Sequence, residues 1–104
     1  MHQIGELLFT WDERKNRANF KKHGVAFQEA ATCWQDDFAV EVYDEKHSAV
    51  ETRWLVIDKS AARRLLICWY TERDWDEQQV LRLIGARPVT ILERERYYEN
   101  AKKR

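Results

Sequence analysis

Four arginines, Arg53, Arg73, Arg82 and Arg87, fall in or beside segments that read as strand, and they define the first chemistry the chain could support. A guanidinium stays charged at any relevant pH, and its planar fork donates two hydrogen bonds to one phosphate, so such a set suits phosphoryl oxygens. Residues 82 and 87 have opposite parity on a regular strand, and they share a face only if Gly85 marks a bulge. The competing reading of Arg82 and Arg87 is a structural bridge to Glu93, Glu95 or Glu51. For proton transfer the nearest groups are His47 and Glu51, with His23, Glu72 and Tyr98 behind them. A loop histidine is more often solvated, and Glu51 has support of Arg53 across the strand as its alternative. His23 followed by Gly24 is the cation-and-glycine ending of a helix. Cys33 and Cys68 sit in apolar surroundings and read as reduced core thiols. The sequence has no glycine-rich phosphate loop, no Ser/His/Asp set and no Cys/His zinc spacing, so kinase, hydrolase and metal readings gain little support and no cofactor is expected.

These groups need a scaffold, and 104 residues fit one domain spanning 1–104. Basic and acidic residues number 18 each, and with 44% hydrophobic residues the composition excludes collagen-like, membrane-spanning and disordered chains. The opening residues carry neither a basic leader nor an apolar signal core, so a soluble cytoplasmic protein is expected. Neutrality is a sum over unlike parts. Arg14, Lys15, Arg17, Lys21 and Lys22 cluster within residues 12 to 23, whereas residues 36 to 51 are mainly acidic.

Residues 7 to 10 read as a short strand, and Asp12 and Gly24 bracket a polar helix over 13 to 23 as N-cap and C′ stop. The apolar residues of that helix are Ala18 and Phe20, which places it on the surface with its basic face exposed. Phe27, Ala30, Ala31 and Trp34 follow at the spacing of a second helix with one buried stripe. Strands are expected over 39 to 43, 53 to 57, 65 to 71 and 80 to 86, joined by connections too short for crossover helices. Thr90 and Glu93 form a capping box that opens a helix over 91 to 102. The predicted class is α+β: an antiparallel β-meander sheet with two N-terminal helices and a C-terminal helix.

Several ordered blocks resemble one family. They are Phe9-Thr10-Trp11-Asp12, the run from Asn19-Phe20-Lys21-Lys22-His23-Gly24 to Val25-Ala26-Phe27-Gln28-Glu29-Ala30, then His47-Ser48, Glu51 and Arg53. Tyr70-Thr71-Glu72-Arg73 and Arg82-Leu83-Ile84-Gly85-Ala86-Arg87-Pro88 follow, leading to Glu93-Arg94-Glu95-Arg96. Together they are similar to the BrnT toxins of bacterial type II toxin-antitoxin systems, small ribonucleases with a RelE-like fold. The loop over residues 73 to 78 is longer and more acidic than the family's usual tight turn, and Asp58 stands where a glycine is common.

The resemblance implies a metal-independent endoribonuclease that inhibits translation by cutting RNA, free or on the ribosome. It implies neutralisation by a ribbon-helix-helix antitoxin of the BrnA type, through which alone the toxin would touch DNA. Cleavage by transphosphorylation must deprotonate a 2′-hydroxyl, stabilise the phosphorane and protonate the leaving oxygen. The implied catalytic set is Arg53, Arg73, Arg82, Arg87, His47 and Glu51. Arg14, Lys15, Lys21 and Lys22 would hold the RNA backbone, with a solvated helix face as the default alternative. Trp75 is the aromatic expected to be exposed and able to stack on a base or partner. The alternative from another class is a non-catalytic binding module acting as corepressor or interaction partner of a DNA-binding antitoxin.

Overall fold

Asp12 starts the first helix as its sequence dictates. In the computed structural model, which describes residues 1–35, 40–45 and 52–102, its carboxylate accepts from the backbone N–H groups of Arg14 (2.8 Å) and Lys15 (3.3 Å). The helix, α1 (Glu13–His23), ends at Gly24, whose φ of 70° is the left-handed conformation glycine adopts without a side-chain clash. Both apolar residues of α1, Ala18 and Phe20, are exposed, and what it docks is polar. Asn16 accepts from the N–H of Phe27 at 2.8 Å and thereby caps the next helix, α2 (Phe27–Ala31). Asn19 donates to the carbonyls of Val25 (2.9 Å) and Ala86 (2.8 Å) and accepts from the Ala86 N–H (3.2 Å). Hydrogen bonds rather than an apolar stripe therefore fix α1.

The predicted stripe of the second helix is buried: Phe27, Ala30 and Ala31 are fully inside, and Trp34 packs against them from a 3-10 turn over Thr32–Gln35. Each large apolar side chain so buried contributes about 1.5–3 kcal/mol. Glu29 ties this layer to the sheet. Its carboxylate accepts from the Ser60 hydroxyl at 2.7 Å and from the Arg64 guanidinium, which also donates to the Gly24 carbonyl at 2.9 Å.

Six strands form one sheet: β1 (His2–Ile4), β2 (Leu7–Thr10), β3 (Val40–Tyr43), β4 (Trp54–Lys59), β5 (Leu65–Trp75) and β6 (Gln78–Pro88), in the order β1-β2-β6-β5-β4-β3. The last four are the expected meander. The sheet as a whole is mixed, not antiparallel, because β2 runs parallel to β6 with Phe9 opposite Leu81 and Thr10 opposite Arg82. The outer edge of β6 is free at the end of the meander, and the N-terminal strand fills it before α1 and α2 carry the chain back to the far edge. β1 was not expected, since three residues are too few to display a period. The loop over 73 to 78 is also shorter than it reads. Only Asp76 and Glu77 turn, both at positive φ (53° and 67°) as the hairpin turn of type I′ requires, and the ladder continues to Trp75 opposite Gln78.

One face of the sheet, with Phe9, Val56, Leu66, Tyr70 and Leu83, packs on the α1–α2 layer. On the other face, Ile57, Leu65 and Ile67 lie under Tyr97 of α3 (Ile91–Lys102). Thr90 and Glu93 form the expected capping box, Thr90 N–H to Glu93 at 2.8 Å and Glu93 N–H to Thr90 at 3.3 Å. Helix α3 covers only that end of the face. Among the described residues no helix is long and apolar enough to cross a membrane.

Candidate active site

A single irregularity organises the uncovered part of the sheet. Trp69 pairs with Gly85 but Tyr70 pairs with Leu83, so Ile84 is an extra residue in β6. The bulge that Gly85 suggested is therefore present, and it changes the parity of the strand. Arg82 opposes Thr71 and Arg87 opposes Ile67, both odd-numbered positions of β5 on the side away from α1 and α2. Arg73 belongs to the same alternating set. Arg53, one residue before β4, borders a cavity shared with Trp69. All four arginines thus lie on one sheet face.

They are not equivalent. Arg87 donates to both carboxylate oxygens of Glu93, each at 2.9 Å, and to the Pro88 carbonyl at 3.1 Å, while its guanidinium lies 5.2 Å from the Trp69 ring centroid. The Arg87 guanidinium, and after it the Thr90 N–H, hold the Glu93 carboxyl below the usual carboxylate range. Arg87 is thus a bridge between β6 and α3, the structural reading weighed for it. Arg82 is half-buried and has no ion pair among the described residues. Between Arg53 and Arg82, one ladder step beyond the Trp54–Tyr70 pair, lies Thr71, 1% exposed with a hydroxyl that has no hydrogen-bond partner among the described residues. Alongside runs a cavity of about 220 Å³ lined by Arg53, Trp69, Ile84 and Gly85.

The remaining expected groups distribute unevenly. His47 and Glu51 lie outside the described residues. Glu72 belongs to the opposite alternation of β5 and accepts from Gln79 at 2.9 Å. His23 occupies the last turn of α1, and Tyr98 lies on α3 beside Tyr97 with the Lys59 ammonium 5.7 Å from its ring. Arg14, Lys15, Lys21 and Lys22 are exposed on α1, which runs along the β6 edge through Asn19. Trp75 is 62% exposed at the hairpin tip, as expected.

Two buried groups are held protonated: contact with Cys33 and burial push the Cys68 thiol well up, and burial together with Glu41 raises Tyr70, whose hydroxyl donates to Glu41 at 2.8 Å. Among the described residues no group of His, Cys, Asp and Glu could hold a metal ion. Trp69 and Thr71 were missed in the sequence. Their signal is the shared odd parity with Arg73, which becomes visible only when the strand is known to continue past residue 71.

A family model described as the ribonuclease toxin, BrnT, of type II toxin-antitoxin systems matches residues 11–93. No curated protein matches the chain significantly. Among solved structures, the crystal structure of the Brucella abortus ribonuclease toxin, BrnT, aligns with a TM-score of 0.58, covering 81% of this chain and 97% of that chain at 19% identity, which shows a shared fold. All four arginines fall inside the matched segment, and on this match the chain belongs to the BrnT family, the ribonuclease toxins of type II toxin-antitoxin systems.

Proposed function

We propose that this toxin is a metal-independent endoribonuclease with a RelE-like fold that stops translation by cutting RNA in the cytoplasm, and that an antitoxin of the BrnA type, a ribbon-helix-helix protein, neutralises it by covering the arginine face. The observation that carries the reading is the bulge at Ile84, which turns Arg82 and Arg87 to the same side as Arg53 and Arg73. In the proposed reaction the 2′-oxygen gives up its proton, bonds to phosphorus and expels the 5′-oxygen, which takes a proton; a 2′,3′-cyclic phosphate and a 5′-hydroxyl result. Arg82 and Arg53 hold the equatorial oxygens, where charge grows toward the phosphorane. Arg73 steers the strand, and Arg87 fixes the indole and α3. Proton transfer is assigned to His47 and Glu51. The exposed Arg14, Lys15, Lys21 and Lys22 of α1 guide the backbone past the edge of β6.

The test is incubation of purified protein in EDTA with free RNA and with translating ribosomes, beside Arg82→Ala. Cleavage in EDTA that disappears in a folded, antitoxin-binding Arg82→Ala is expected. Cleavage that needs a divalent ion, or an undiminished Arg82→Ala, refutes the assignment. No cleavage of either substrate by folded protein returns the corepressor reading.

A further inference from the structure

On the sheet face with the arginines stands an indole that their chemistry does not require. Trp69 is half-buried on β5, at the border of the cluster of Ile57, Leu65, Ile67 and Tyr97 of α3, against which it packs on one side. The cross-strand neighbour of Trp69 is Gly85, where a Cβ would stand 3.9 Å from the indole Cε3. A glycine there leaves the space beside the ring empty, and the extra residue Ile84 supplies a wall to it. The result is the cavity of about 220 Å³, apolar for the most part, with Arg53 at its rim and the Arg87 guanidinium 5.2 Å from the ring centroid. Cation, aromatic face, cavity and cation therefore follow one another across the sheet.

We propose that this cavity is a nucleobase subsite: Trp69 stacks one unpaired base of the RNA, while Arg53 and Arg82 hold the phosphates that flank it. The proposal rests on the ribonuclease reading and adds to it the contact that engages a base rather than the backbone. Every base has a π-face, so an indole admits any of them, and stacking on an aromatic side chain needs the single strand to be splayed open. Arg87 has a defined part in this arrangement. Held by Glu93 on one side, its guanidinium braces the indole and adds cation–π polarisation without leaving its ion pair. Thr71, next along the same face, is buried, and its hydroxyl has no hydrogen-bond partner among the described residues.

A single-stranded 2′-O-methyl hexanucleotide of mixed sequence, whose attacking hydroxyls are blocked, tests the proposal against an otherwise identical strand with abasic residues. The two carry the same phosphates, so binding by anisotropy separates base from backbone. The wild type is expected to prefer the base-bearing strand by on the order of 5- to 100-fold, the range for one base stacked on an aromatic side chain. Trp69→Leu should abolish most of that preference and Trp69→Phe should keep much of it. Gly85→Ala places a methyl in ordinary contact with the indole, leaves the fold intact, and should cut the preference several-fold even if Trp69→Leu proves unfolded. Equal affinity of the wild type for both strands overturns the subsite while leaving phosphate recognition standing, as does a folded Trp69→Leu that keeps the preference. An indole serving only to shield Gly85 or to meet a protein partner gives that result. Failure of the wild type to bind either strand takes the ribonuclease reading down with the subsite.

Discussion

The Arg87–Glu93 bridge yields a double-mutant cycle whose size follows from its geometry. Both guanidinium nitrogens engage the carboxylate at 2.9 Å, and the side chains are 28% and 22% exposed, so screening is partial and the pair should couple by about 1–2 kcal/mol. Arg87→Ala also removes the contact with Trp69, worth about 0.5–1 kcal/mol. Glu93→Ala also removes the acceptor of the Thr90 N–H at 2.8 Å, which is worth a similar amount. Each single variant should therefore lose about 1.5–3 kcal/mol, and each kcal/mol should lower Tm by about 4–8 °C in a domain of this size. The double variant should lose less than the sum by the coupling energy. Urea unfolding followed by far-UV circular dichroism measures all four proteins, with Arg82→Ala, expected within about 0.5 kcal/mol of wild type, as the control for an arginine without an ion pair among the described residues. A coupling below about 0.5 kcal/mol, or an Arg82→Ala as costly as Arg87→Ala, would refute the division of labour between the two arginines of β6.

Thr71→Val, an isosteric loss of a buried hydroxyl without a hydrogen-bond partner among the described residues, should raise stability by up to about 1 kcal/mol; a less stable variant in thermal denaturation would mean that the hydroxyl is satisfied. The Arg64 guanidinium beside Glu29 and the Arg87 guanidinium beside Glu93 hold both carboxyls below the free value of 4.5. Folded-state values below the unfolded one give stability that is complete above that pH and is lost as pH falls through the lowered values, so the urea midpoint should stay level from pH 7 to about 5 and decline below 4.5. Arg64→Met should flatten part of the decline, and a midpoint that holds steady down to pH 3 would count against both pairs.

The parts legible in the sequence are those set by neighbours in the chain. The Asp12 cap, the Gly24 stop, the stripe from Phe27 to Trp34 and the Thr90–Glu93 box are local devices, and each is found where its spacing puts it. The bulge was legible as a condition, because Arg82 and Arg87 cannot share a face without it. What escaped depends on distant partners. The parallel pairing of β2 with β6 is a choice between two free edges that no residue of Leu7–Thr10 encodes. The two polar contacts that dock α1, Asn16 and Asn19, leave no hydrophobic period to detect. Acidic residues at 74, 76 and 77 made the β5–β6 hairpin look like a loop, although backbone twist and two residues of positive φ are all that its turn requires. For the site, the sequence presented charges readily, whereas Trp69 looked like any other core aromatic until a glycine was found across from it.

The side chain of Asn19 has a consequence beyond holding a helix. Strand β2 covers β6 only from Val80 to Arg82, so the polar backbone at Ala86 would otherwise invite a strand from another molecule. Asn19 answers both the N–H and the C=O of Ala86 with one amide, copying the hydrogen-bonding pattern of an absent strand. A plug of this kind makes the inner border of the sheet unavailable as a template for self-association. Replacing it with a residue that lacks either half of the amide would reopen that border beside the bulge, where aggregation and loss of the site would start from the same place.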